Sequence, residues 1–350
     1  MATIKGVHYT DVHLQDNNPA SRRGSYLEDI LAKLHHIGNF AKKKKCDFTS
    51  CGGDLFNIKT PNRNSFSMVN RVIDMYSSWN MLNLLVEGNH DIRNDQVETI
   101  DDQPIGSLFR SGAIKHLRNE LIKKKGIEVR IQGYDFEEEP DFSKLVLKEE
   151  DRADVNILVL HVYAGPKEAD LFGTKIHGYA EISQTGHDVY MFGHYHKNQG
   201  IVELPRDSGN PQYFVNLGSV SRGDYGDMNL KRTPQFCYLE LTKKTKDSPV
   251  EIILEAVDIP CRKGEEVFDV EQKTREKEHL EEANKFVESL KLASITEDLD
   301  ESDTLAAEDG SSGNKELSAA LKGLEVESGV MKEVQRFIKE ASESLGGSGA

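Results

Sequence analysis

The sequence predicts an α/β fold with a largely buried sheet, and three observations predict it. Apolar runs alternate with amphipathic stretches as far as about residue 160, the order expected when strands and helices take turns. From about residue 201 the texture changes to short alternating runs separated by turn residues, which reads as antiparallel strands. Residue types that ligate metals sit at or near the ends of the strand-like runs, where an α/β fold presents side chains to a substrate.

Residues 4–9 read as the first strand. Residues 26–45 place Leu27, Ile30, Leu31, Leu34, Ile37 and Phe40 at helical spacing and close on a lysine run suited to a helix C-terminus. A short strand at 47–50, a helix at 65–79 and a strand at 81–86 follow, the last running into Gly88-Asn89-His90-Asp91. Strands at 127–133, 155–160 and 189–192 continue the series, and 213–217, 236–241 and 251–257 supply the antiparallel set. Beyond Pro260 the chain turns polar and acidic. Residues 271–292 keep Leu280, Ala283, Val287 and Leu290 on one narrow helical face, 294–314 form an acidic linker, and 315–345 offer a second, weaker helical face. The expected division is therefore 1–200 as a catalytic core, 201–260 as completion of a second sheet or a small cap, 261–293 as a helix, 294–314 as linker, and 315–350 as a C-terminal helix and tail.

A chain of 350 residues suffices for a large core, either as two domains or as one with appendages. Apolar runs such as Ile157-Leu158-Val159-Leu160 fall far short of the roughly 20 residues a spanning helix needs. The N-terminus runs directly into a strand pattern without a basic and then apolar leader, so no membrane association and a cytoplasmic setting, or host cytoplasm for a viral protein, are expected. Cys46, Cys51, Cys237 and Cys261 form neither a CxxC pair nor a disulfide framework, and are read as reduced. The net charge of −15 argues against a surface coated for non-specific nucleic-acid binding. It is unevenly placed: residues 261–350 hold 12 Lys+Arg against 22 Asp+Glu, leaving 32 against 37 for residues 1–260.

Five pieces carry the chemistry: Asp11-Val12-His13, Gly53-Asp54, Gly88-Asn89-His90-Asp91, His161 and Gly193-His194-Tyr195-His196. Hydrolysis of a phosphate ester on two metals needs oxygen and nitrogen ligands for ions roughly 3.5–4 Å apart, with one ligand spanning both. Asp11 and His13 sit two apart, as do His194 and His196. Asp54 is placed to bridge, and Asn89 offers a neutral oxygen that adds no negative charge against an incoming phosphate. Each piece alone is a weak signal. Five in order, each after a strand pattern, are a strong one.

This ordered set resembles the calcineurin-like metallophosphoesterase superfamily, whose pattern is Asp-x-His, Gly-Asp, Gly-Asn-His-(Asp/Glu), His and Gly-His-x-His. The five blocks span residues 11–196. The resemblance implies a four-layer αββα sandwich with a small β-rich cap and C-terminal helices. It also implies one metal held by Asp11, His13, Asp54 and His196, and another by Asp54, Asn89, His161 and His194. Two divalent ions are implied, manganese first, with magnesium, iron or zinc as variants. His90 is then left for proton work, with Asp91 expected to orient its ring.

Within the superfamily, Asp188 to His196, Gly53-Asp54-Leu55-Phe56 with Arg63, Ser65 and Val69, and the loop Asn216 to Arg222 are similar to the SbcD-type DNA repair exonucleases. That similarity implies a DNA exo- or endonuclease subunit of an SbcCD-like recombination complex. It further implies that the C-terminal helices dock on an SMC-like ATPase of the SbcC type, and it leaves a homodimer open. Arg22, Arg23, Arg63, Arg71 and Arg222 are the candidates for phosphate or DNA contact. One position departs from the pattern: where such nucleases often carry His or Asp after Gly-Asp-Leu-Phe, this chain has Asn57. The alternatives of the same superfamily are a nucleotide phosphodiesterase or a protein phosphatase. A non-catalytic scaffold predicts lost ligands, and none is lost.

Overall fold

The structure is a computed structural model. It describes residues 1–271, apart from 20–21, 61–62, 93–96, 172–173, 207–209, 224–225 and 246–247, together with Arg275 and Lys285. The chain divides into two compact units, Met1–Glu278 and His279–Ala350. The helices expected at 271–292 and 315–345 and the linker between them lie outside the described residues, save Glu271, Arg275 and Lys285. Among the described residues no helix is long and apolar enough to cross a membrane.

In chain order the elements of the first unit begin with β1 (Ala2–Tyr9), α1 (Tyr26–Lys44), β2 (Phe48–Cys51), α2 (Phe66–Trp79) and β3 (Leu82–Leu85). Next come α3 (Pro104–Ser111), β4 (Lys115–His116), β5 (Asn119–Lys124), β6 (Ile127–Tyr134) and β7 (Val155–Val162). Then follow β8 (Ala164–Gly165), β9 (Ala169–Leu171), β10 (Thr174–Gly178), α4 (Tyr179–Ile182) and β11 (Val189–His194). The unit closes with β12 (Gly200–Leu204), β13 (Gln212–Asn216), α5 (Asp227–Lys231), β14 (Gln235–Lys243), β15 (Val250–Asp258) and α6 (Gly264–Val267).

Two six-stranded sheets result, ordered β15-β14-β1-β2-β3-β4 and β12-β13-β11-β7-β6-β5, with a small third sheet β8-β10-β9. β1 to β4 run parallel in the first large sheet, and β6, β7, β11 and β13 run parallel in the second. The core between the sheets takes Ile4, Phe48 and Leu84 from one and Ile131, Ile157, Val159, Val189 and Met191 from the other. Alternate residues of β7, Leu158 and Leu160, turn to the opposite face and pack with Tyr179, Tyr190, Phe192 and Phe214. This period-two division explains why β7 is buried along its whole length and reads as a continuous apolar run.

The outer face of the first sheet is covered by α1, α2 and α3. Ser25 caps α1 by accepting from the Glu28 N–H, Glu28 and Asp29 lie in its first turn, and Lys42, Lys43 and Lys44 end it. Leu27, Ile30, Leu31, Leu34 and Ile37 form its buried face, as the spacing predicts, while Phe40 is half-buried and meets Phe236 edge-on. The outer layer on the second sheet is thinner, made of α4 and short 3-10 turns at Phe142–Leu145 and Ser183–Thr185.

The antiparallel strands expected after residue 201 are divided between the two large sheets. β12 and β13 extend the second, whereas β14 pairs along nearly all of β1 and carries β15 onto the edge of the first. Among the described residues, these four strands all join one or other large sheet. The physical reason is that β1 has an edge beside it unless a late strand returns to cover it.

Candidate two-metal active site

The parallel strands of both sheets deliver their C-terminal ends to one place. Beyond β1 and β2 the backbones stay paired: the N–H groups of Asp11, His13 and Leu14 donate to the carbonyls of Gly53, Asp54 and Leu55 at 3.1, 2.9 and 2.8 Å. Asp11, His13 and Asp54 are thereby held side by side. All three have left-handed backbones, with φ of 52°, 52° and 51°, and His194 has φ of 80°. Non-glycine residues adopt this region at a cost of order 1–3 kcal/mol each, and such strain gathers at functional sites.

Two ligand groups emerge. Asp11, His13, Asp54 and His196 offer one atom each, all within 4.8 Å of one another, and so do Asp54, His161 and His194. Asp54 belongs to both. Asn89 joins the second group, its Oδ1 lying 3.2 Å from His161 Nε2. The Nε2 atoms of His13 and His196 face each other at 3.0 Å. The structure thus brings together all seven residues that the sequence set aside as ligands.

Close packing around these side chains needs glycine. A Cβ on Gly88 would lie 2.0 Å from Asp54 Oδ1, and one on Gly193 would lie 2.0 Å from the Gly52 carbonyl oxygen. The two sheets approach there with no room for a side chain.

The surroundings orient each ligand. His161 is fully buried and its Nδ1–H donates to the Gly52 carbonyl at 2.6 Å, which turns Nε2 towards Asp54 and Asn89. Asp11 accepts from Thr10 Oγ1 at 2.8 Å and from the His194 N–H at 3.1 and 3.2 Å. Behind it, Ser219 Oγ and the Ser221 N–H both donate to the Asp11 carbonyl, at 2.8 and 3.2 Å. The His194 ring lies between those of Phe136 and Tyr163, with centroids 5.3 and 4.7 Å away.

Electrostatically this is a buried pair of carboxylates surrounded by imidazoles. Burial works to raise the Asp11 carboxyl, but the His196 hydrogen bond and the charges of His196 and His161 outweigh it and hold it at about 2. Asp54, with burial likewise opposed by His161 and His13, is driven well below the usual carboxylate range. Burial lowers His13 and His194 to about 4, leaving them neutral and fit to ligate. Burial also acts to lower His161, yet Asp54, 3.4 Å from its Nε2, raises it to about 9, so a cation bound between them would displace a proton. His13 Nδ1 is buried and has no hydrogen-bond partner. Mixed oxygen and nitrogen donors, two ionised carboxylates and converging Nε2 atoms fit two divalent cations.

His90 stands beside the ligands. Its backbone N–H donates to Asp54 Oδ1 at 2.9 Å, and its ring is edge-on to His13 with centroids 5.0 Å apart. Its Nδ1–H donates at 2.9 Å to the carbonyl of Asn57. The backbone of residue 57 therefore positions His90, while the Asn57 side chain bonds Gln15.

Asp91 does not orient His90. Its carboxylate accepts from the N–H groups of Leu55, Phe56 and Gly88 at 3.2, 3.0 and 3.1 Å, and it is 1% exposed. Adjacent residues in the tight Gly88–Asp91 turn point opposite ways, so Asp91 braces the loop beneath the ligands while His90 faces out.

Four of the five candidate arginines have partners within the protein. Arg71 is paired with Glu28 through two bonds of 2.7 and 2.8 Å, and Arg23 with Asp269 at 3.1 Å. Arg22 and Arg222 are buried, Arg22 pairing with Asp29 at 2.6 Å and Arg222 donating to the Arg262 carbonyl. Arg63 alone of the five is exposed without a side-chain partner among the described residues. A second acidic group, Glu87, His116 and Asp135, was not singled out from sequence; Arg118 also pairs with Asp135 there.

A family model described as calcineurin-like phosphoesterase matches residues 4–198. No curated protein matches the chain. Among solved structures, that of TT1561 of Thermus thermophilus is 12% identical and covers 74% of this chain and 100% of its own, with a TM-score of 0.44. Another is 15% identical with the same coverages and a TM-score of 0.39. At TM-scores under 0.5 neither adds to the reading of the site.

Proposed function

The chain belongs to the calcineurin-like phosphoesterase family, and from that premise we propose that it hydrolyses phosphodiesters of DNA, as an exo- or endonuclease using two manganese ions. The observation that carries the hydrolytic reading is the pair of ligand groups sharing Asp54 with His90 alongside. Asp11, His13, Asp54 and His196 would hold one ion, and Asp54, Asn89, His161 and His194 the other. When bound, such ions lower the pKa of water and offset charge on the phosphoryl oxygens.

The chain's own residues do the rest. The Asn57 carbonyl holds the His90 Nδ1–H, which leaves Nε2 to face the substrate, where the imidazolium form delivers its Nε2 proton to the departing oxygen. Thr10 and the His194 N–H keep the Asp11 carboxylate aimed. Tyr163 and Tyr195, half-buried with ring centroids 4.9 Å apart beside His194, offer a stacking surface that supports a base-bearing substrate.

One observation favours a second reading. Arg23 and Arg71 are paired with carboxylates, and Arg22 and Arg222 are buried outside the ligand groups, so a small nucleotide needing fewer backbone contacts also fits. Docking of the C-terminal helices on an SMC-like ATPase remains part of the nuclease proposal. The test is incubation of the purified chain and Mn(II) with end-labelled duplex DNA, single-stranded DNA and a panel of cyclic and linear nucleotides, with Asp54→Asn as control. DNA degradation lost in the control supports the nuclease; nucleotide turnover with intact DNA overturns it.

A further inference from the structure

Away from the ligand groups, a pocket of about 210 Å³ opens between α1, the segment around Arg222 and the segment around Cys261. Its ionisable lining is Arg22, Asp29, Lys33, Arg222, Cys261 and Arg262. Among the described residues, four basic side chains thus meet one carboxylate. Asp29 Oδ2 is already shared between Arg22 Nη2 and Arg262 Nη2, each at 2.6 Å. Three further donors go to main-chain carbonyls, which bring no charge: Arg22 Nη1 to Arg222 at 2.9 Å, Lys33 Nζ to Val220 at 2.7 Å, and Arg222 Nη2 to Arg262.

Burial makes that imbalance costly. Arg22, Lys33 and Arg222 are only 9%, 2% and 2% exposed, and buried cations are ordinarily paired. The Nε atoms of Arg22 and Arg222 are buried with no hydrogen-bond partner. An oxyanion bound in the pocket would supply the negative charge that the main-chain carbonyls do not. Burial first, and the charge of Arg222 next, pull the Lys33 ammonium down to about 7, as expected where positive charge outweighs negative.

We propose that this pocket is a binding site for a phosphate-class dianion, free or as the phosphoryl group of a small monoester, held by Arg22, Lys33, Arg222 and Arg262. The volume, below the roughly 300–1,000 Å³ of pockets for drug-sized ligands, favours an ion of that size over a whole nucleotide. The site is separate from the ligand groups, although the segment it touches continues into Ser219 and Ser221, which hold the Asp11 carbonyl. The proposal does not rest on the hydrolytic reading.

The test is calorimetric titration of inorganic phosphate into the full chain loaded with Mn(II), in chloride buffer at constant ionic strength. The side chain of Arg262 is 43% exposed and takes no part in the ligand groups, so Arg262→Gln should fold and hydrolyse substrate as the parent does. The expected result is a phosphate site whose affinity falls at least tenfold in Arg262→Gln and further in Arg222→Gln. Competition by O-phosphoserine would identify a monoester as an accepted source; phosphate binding without such competition would assign the site to the free ion. Unchanged phosphate binding in Arg262→Gln would overturn the proposal, as would binding of malonate in place of phosphate.

Discussion

Replacing Asp91 by alanine separates a brace from a catalytic partner. The carboxylate accepts three backbone N–H groups, from Leu55, Phe56 and Gly88, at a site 1% exposed. Asp91→Ala leaves all three buried and unpartnered, at about 1–3 kcal/mol each. Against this stands relief from burying a carboxylate near Asp54, the two causes that push the Asp91 carboxyl up to about 7. The net expected loss is about 3 kcal/mol. Asp91→Asn should lose roughly half of that, because one amide oxygen can accept two of the three bonds while its NH2 group opposes the remaining donor. Urea unfolding followed by the fluorescence of Trp79, the single tryptophan and 3% exposed, measures the change. Turnover per bound metal should stay within a few-fold of the parent. A variant of full stability whose turnover collapses as far as that of His90→Ala would refute the brace and restore Asp91 as a partner in the chemistry.

Other outcomes follow from the same geometry. His90→Ala should keep its metal content by elemental analysis and lose about 10²–10⁴-fold in kcat; loss of metal would show that His90 serves the ligands instead. His187, held between Thr185 and Gln132, is lowered by burial to about 4 in the folded chain against 6.5 for the free side chain. Between those values the unfolded chain binds the proton and the folded chain does not, so stability falls as pH drops from about 6.5 to about 4, by up to roughly 3 kcal/mol. Urea titrations across that range should show a shallower fall in His187→Gln, and parallel curves would remove His187 as the cause.

Much of the site was legible because metal ligation is written in residue types. Asp, His and Asn at the ends of apolar runs name themselves, and parallel strands carry them to one end of the sheets. What supports them was not legible. The Asn57 carbonyl that holds His90 and the Gly52 carbonyl that holds His161 are backbone groups, which every residue possesses. The Ser219–Ser221 segment braces Asp11 across more than two hundred residues of chain, a distance over which local pattern is silent. Lys33 reads as one of many polar positions on α1, yet it is buried against Val220.

By itself, then, the sequence determined the α/β alternation, the buried face of α1, and seven candidate ligands with a histidine beside them, the first two as matters of period and the last from residue types in a family's order. The tertiary structure alone decided that Asp91 faces away from His90, that β14 and β15 close the first sheet, and that Arg22 and Arg222 turn inward to a shared pocket. These depend on which distant backbone and which opposite charge lie within hydrogen-bond reach, and that is fixed only when the two sheets pack.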